Sequence, residues 1–105
     1  MSTLSITTIQ TILHWEDKAA NLQMLENKIK SIQEKTEIVV LPEMFSTGFS
    51  MNPEALAETM EGETIQWMKK VAAENKIILT GSIICSDSAQ VVSTGQTKYY
   101  NRLIW

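Results

Sequence analysis

Apolar positions along the chain fall into two alternating signatures, one of strands and one of helices. Leu4-Ser5-Ile6-Thr7-Thr8-Ile9-Gln10-Thr11 is rich in β-branched residues and partly alternating, which predicts a first strand near the N-terminus. From Asp17 to about Lys35, Ala19, Leu22, Leu25, Ile29 and Ile32 recur at three- and four-residue steps, a one-faced helix with Asp17 at its N-cap. The continuous run Ile38 to Leu41, stopped by Pro42, predicts a strand buried on both faces of a parallel sheet. Pro53 to about Glu58 can form a helical turn. Glu63 to Asn75 forms a second amphipathic helix with Ile65, Met68, Val71 and Ala72 inward and carboxylates at its start to suit the helix dipole. Ile77 to Cys85 reads as a third strand in which Gly81 marks a bend or a close backbone approach. Ser86 to Gly95 is a polar hairpin connection, and Thr97 to Trp105 alternates as a fourth strand.

The resulting order, β-α-β-α-β-β, implies an α/β sheet. Parallel neighbours need helical crossovers, which are right-handed, whereas the last two strands can pair as a hairpin. At 105 residues there is room for one domain; 44% hydrophobic and 20% charged residues describe an ordinary globular chain. Nine Lys and Arg against twelve Asp and Glu, scattered along the chain, argue against nucleic acid as a partner. No apolar run approaches the ~18 to 20 residues that span a bilayer, and Met1-Ser2-Thr3-Leu4 has no signal-peptide character, so no membrane partner and a cytoplasmic location are expected. A lone cysteine and a lone histidine exclude an internal disulfide and provide no metal-ligand spacing.

The chemistry concentrates in Leu41-Pro42-Glu43-Met44-Phe45-Ser46-Thr47-Gly48. Ligands of open α/β sheets bind outside the carboxyl ends of the strands, and Glu43 stands two residues past one. Flanked by Pro42, Met44 and Phe45, its carboxylate is expected to be partly desolvated and so a better proton acceptor. Phe45 is the candidate pocket wall, although an aromatic here can equally be core; Thr47 and Gly48, which let the loop turn back across the site, complete the candidate pocket.

This segment resembles the catalytic-glutamate region of the nitrilase, or carbon-nitrogen hydrolase, superfamily, and most closely its omega-amidase-like branch. The resemblance extends to the first strand, Trp15-Glu16-Asp17, Asn21, Gly81-Ser82 and Tyr100-Asn101-Arg102. It implies an αββα sandwich and a Glu-Lys-Cys triad. A cysteine thiolate attacks a small-molecule amide or nitrile, ammonia leaves a thioester, and water hydrolyses it without a cofactor. Glu43 matches the glutamate. The family's lysine lies in a Tyr-x-Lys-x-x-Leu segment and its cysteine further on in a Cys-Tyr-Asp-like turn, and neither segment is among these 105 residues. The expectation is therefore an N-terminal part of such a domain, inactive alone and homodimeric when complete. The domain's missing half would cover an apolar edge and face. The rival reading is a non-catalytic α/β binding module that keeps the family's first half; a third is a globular domain in which the Glu43 segment is coincidence.

Three residues invite confusion with the absent members. Cys85-Ser86-Asp87 imitates a nucleophile turn, but nothing near it in sequence lowers a thiol pKa, and it reads as a strand-closing apolar residue. Lys98 reads as a solvated strand-end lysine, and His14 as a loop or packing residue. Met44, Met51, Met60 and Met68 read as adaptable core filling around the motif.

Overall fold

The computed structural model describes residues 3–87 and 98–105. Its elements follow in the order β1 (Ile6–Thr8), α1 (Lys18–Lys30), β2 (Ile38–Val40), α2 (Pro53–Leu56), α3 (Glu63–Asn75), β3 (Ile78–Asp87) and β4 (Lys98–Ile104). They build one four-stranded sheet in the order β1-β2-β3-β4, parallel across the first three strands and antiparallel between β3 and β4. The α/β class and the final hairpin pairing are as the pattern predicts. Most of the predicted polar connection, 88–95, lies outside the described residues.

Two cross-strand rows explain how the sheet meets its helices. Thr7, Val39 and Leu79 are in register, and Val39 and Leu79 are buried in the core. That core is completed by Leu25 and Ile29 of α1 and Ile65, Met68 and Val71 of α3. The adjacent row, Ile6, Ile38 and Ile78, points the other way, as alternation requires. Ile6 and Ile78 are more than half exposed and Ile38 only half-buried. The expectation that β2 is buried on both faces therefore fails along this row; Leu103 and Trp105 on the same side are also exposed, whereas further along β3 Thr80, Ser82 and Ile84 are buried.

Element ends depart from the predicted ones for local reasons. β1 stops at Thr8 rather than Thr11 because its partner ends at Val40; the Ile9 amide makes the last contact, to Val40 O at 2.9 Å. The N-cap of α1 is Asp17 as predicted, accepting from Ala20 N at 3.1 Å. Its C-terminus comes at Lys30, not Lys35, where the Ser31 hydroxyl donates to the Lys28 carbonyl at 2.7 Å beside the Ser31 amide at 3.2 Å. Ile32 still packs on the core from beyond that cap. The buried stripe is Asn21, Leu25 and Ile29, at four-residue steps, whereas Ala19 is exposed.

α3 matches its predicted span, with Ala72 only partly buried and Thr64 added to its inner face. Glu58 supplies its N-terminal anion. The carboxylate accepts from Thr64 N at 2.7 Å and from the Thr64 hydroxyl, and pairs with Lys18 Nζ at 3.0 Å, joining the starts of both long helices. Among the described residues no helix is long and apolar enough to cross a membrane.

Gly81 marks a close approach. A Cβ there would stand 2.7 Å from Phe45 Cδ1 and 3.0 Å from Leu41 Cβ, and the Phe45 ring is fully buried against Trp67, with centroids 5.9 Å apart. The ring has nowhere to go. Gly81→Ala is expected to destabilise the fold by about 1–3 kcal/mol through overpacking, read as a lowered denaturant midpoint in equilibrium unfolding.

Candidate functional site

β2 delivers the chain to the carboxyl edge of the sheet, where Pro42 cannot donate to the ladder and the backbone turns away. The loop that follows is held at almost every position. Leu41 N donates to Thr80 O at 2.8 Å, Met44 N to Ser82 Oγ at 2.9 Å and Phe45 N to Ser82 O at 3.3 Å. Two further amides, Thr47 N and Gly48 N, close back onto Met44 O at 3.2 and 2.9 Å.

From the other side, Asn21 ties this loop to the segment before α1. Its Nδ2 donates to Ser46 O at 2.9 Å and to His14 O at 2.7 Å, while its Oδ1 accepts from His14 N at 2.7 Å. Glu16 N adds a bond to Thr47 O at 2.8 Å. Met44 is held in the left-handed region, with φ of +49°, and Gly48 follows at +78°, where a side chain would also meet the Trp15 ring. The Ser82 hydroxyl is what satisfies the amide of the turned Met44.

This clamping selects which side chains reach solvent. Leu41 and residues 44–48 are buried, as is Ser50, so that between Leu41 and Ser50 the exposed side chains are Glu43 and Phe49. Glu43 is more open than its apolar neighbours suggest: Met44 and Phe45 turn inward and leave the carboxylate on the crest. The expected desolvation is thus not built by the described residues.

Glu43 has one partner among them. Asn101 Nδ2 of β4 donates to Glu43 Oε1 at 2.7 Å. Both residues border a cleft of about 350 Å³ beside the end of β2 and the middle of β3, lined by Gly81 and Ser82 and flanked by Leu103. Asn101 also borders a neighbouring apolar hollow of about 210 Å³, formed by Met44, Phe49, Met51, Pro53 and Tyr100. Asn101 and Ser82 fall in segments that carry the family resemblance, but neither is a predicted site residue. Alternation in β4 says only which residues share a side, and the register that brings Asn101 opposite Ile84 is set by the paired strands.

The predicted pocket residues are placed beneath the site. Phe45 is core, locked under Gly81 and against Trp67, and the aromatic bordering a cavity is Phe49 instead. Thr47 turns its hydroxyl onto Gly48 O at 2.8 Å, and Gly48 is buried behind Trp15. All three shape the loop from within. Met68 fills the core, Met44 and Met51 border the apolar hollow, and Met60 is partly exposed.

Cys85 is fully buried on β3, its sulfur 3.9 Å from Met60 Sδ, and burial pushes its thiol above the ordinary cysteine range, offset in part by Arg102. Such a thiol is a poor nucleophile, in keeping with a structural residue. His14 engages Asn21 through its backbone amide and carbonyl, and the Lys98 side chain lies outside the described residues. No group of three or more His, Cys, Asp or Glu among the described residues could hold a metal ion.

Comparisons with known proteins bear on the family and the fold. The family model described as carbon-nitrogen hydrolase matches residues 4–105. The omega-amidase YafV of Yersinia enterocolitica is 41% identical over 85 residues, covering 79% of this chain and 32% of the relative. The omega-amidase YafV of Escherichia coli (strain K12) is 34% identical over 84 residues, with the same coverage. The chain therefore spans about a third of the length of these relatives. Among solved structures, the nitrilase-fold superposition extends over nearly the whole chain. XC1258 from Xanthomonas campestris, a CN-hydrolase superfamily protein, superposes with a TM-score of 0.79 at 27% identity, over 97% of this chain and 41% of its own. Saccharomyces cerevisiae Nit3, a member of branch 10 of the nitrilase superfamily, superposes with a TM-score of 0.73 at 29% identity, over 93% and 37%. With its sheet, its Glu43 loop and its match from residue 4 to residue 105, this chain belongs to the carbon-nitrogen hydrolase family.

Proposed function

We propose that this chain is the N-terminal part of an omega-amidase-like domain that hydrolyses a small-molecule amide to acid and ammonia, with Glu43 as general base. The observation that carries the reading is Glu43 itself: an exposed carboxylate on an immobilised loop at the carboxyl end of a parallel strand. The chain's similarity to omega-amidases supports the choice of reaction and of a terminal amide on a small dicarboxylate-type substrate.

In this reading Glu43 takes the proton of a cysteine thiol supplied by a later part of the domain, and the thiolate attacks the amide carbon. A lysine, also supplied from there, stabilises the oxyanion of the tetrahedral adduct. Collapse breaks the carbon-nitrogen bond, the proton held by Glu43 leaves with ammonia, and a thioester remains. Glu43 then takes a proton from water as its oxygen attacks the thioester, and return of that proton to sulfur regenerates the thiol with the acid product. No cofactor enters this scheme. Cys85 does not serve as the nucleophile in this scheme, since its thiol is buried and its pKa is raised by that burial. A homodimer and a cytoplasmic setting belong to the same proposal.

Two outcomes test it. In the longer protein, Glu43→Gln keeps the shape and removes the base. Amide turnover, followed as ammonia release, is expected to fall about 10²- to 10⁴-fold, with folding stability changed by less than about 0.5 kcal/mol. Ammonia release near the wild-type rate would sink the assignment. Residues 1–105 produced alone are expected to release no ammonia from the same amide; measurable turnover by that piece would show that the lysine and cysteine are not needed, and the mechanism would fall with them.

A further inference from the structure

The carboxylate of Glu43 and the amide of Asn101 are 58 residues apart in sequence and 2.7 Å apart in space. Each end of that contact is fixed by a different part of the sheet. Glu43 rides on the loop pinned by Ser82 and Asn21, and Asn101 sits in the β3–β4 ladder opposite Ile84. On the other side of β4, the Arg102 guanidinium lies over the Tyr100 ring, 5.2 Å from its centroid, so the neighbouring cation is engaged away from the carboxylate.

The chemistry of the contact is suited to a base. Asn101 occupies Oε1 and leaves Oε2 without a partner among the described residues, so one oxygen is held and the other is available for a proton. A lysine or arginine in the same place would orient the carboxylate too, but its charge would favour the ionised form and weaken the base. A neutral amide orients it at far smaller cost to its basicity. Asn101 also stands where the 350 Å³ cleft and the 210 Å³ hollow meet, beside the space a substrate would enter.

We infer that Asn101 is a positioning residue that holds the Glu43 carboxylate in its proton-accepting orientation through the Nδ2 to Oε1 hydrogen bond. This rests on the reading of Glu43 as the base. The test compares Asn101→Leu, Asn101→Asp and Glu43→Gln in the longer protein, with ammonia release from a dicarboxylic acid monoamide as the assay.

For Asn101→Leu, which deletes the donor at similar size, kcat is expected to fall about ten- to a hundredfold while KM stays within about twofold. Because the side chain is exposed, the melting temperature is expected to move by less than about 2 °C. Asn101→Asp sets two carboxylates against each other, so the acid limb of its pH-rate profile is expected to move to higher pH, a displacement that a purely structural role would not produce. If Asn101→Leu keeps the wild-type kcat while Glu43→Gln is inactive, the positioning role is overturned and the base assignment stands. A raised KM with unchanged kcat makes Asn101 a substrate-binding group and likewise overturns it. If Glu43→Gln retains full turnover, the base assignment fails, and the positioning role fails with it.

Discussion

Everything at the carboxyl edge of this sheet depends on the buried amide of Asn21. Fully enclosed, it satisfies the main-chain amide and carbonyl of His14 in part-buried contacts and the carbonyl of Ser46 in a buried one. An unpaired buried group costs about 1–3 kcal/mol, so the network specifies one relative placement of the segment before α1 and the loop after β2. No apolar residue of the same size could do this. Asn21 therefore occupies a core position in the α1 stripe that a hydrophobic pattern would assign to leucine.

The second half of the arrangement comes from β3. Gly81 lets the Phe45 ring lie directly on the strand, and the next residue, Ser82, gives both its hydroxyl and its carbonyl to the amides of Met44 and Phe45. One short stretch thus accepts the loop's aromatic and its polar backbone together. The same strand pairs with β4 in the register that carries Asn101 to Glu43. The site is consequently a product of sheet pairing, with the loop as the part that the pairing holds still.

The sequence is most legible where burial is apolar and periodic. α3 is readable to the residue because Ile65, Met68 and Val71 repeat cleanly and a single carboxylate-rich turn opens it. The Glu43 segment is equally readable, since an apolar strand, a proline and a carboxylate mark a strand end and a polar crest. Reading fails where one polar residue does the work of a core residue, as Asn21 does, or where a contact depends on register across 58 residues, as for Asn101 and Glu43. It leaves Phe45 open between core and pocket wall, because the residue's proximity to Glu43 in sequence says nothing about which way a left-handed turn at Met44 throws it. The extent of β1 departs from propensity for a different reason: β-branched residues run to Thr11, but a strand ends where its neighbour does.

The pinned backbone of the Glu43 loop bears on the entropy of recognition. The amides of Met44, Phe45, Thr47 and Gly48 are engaged by Ser82 and Met44, and the carbonyls of Ser46 and Thr47 are engaged from the α1 side, so the loop is held along most of its length. A ligand arriving at Glu43 has no loop to freeze. It has only the rotamers of one glutamate to order, at most about 1.5–2 kcal/mol of lost freedom, against the ~1–2 kcal/mol per residue that ordering a mobile loop would add.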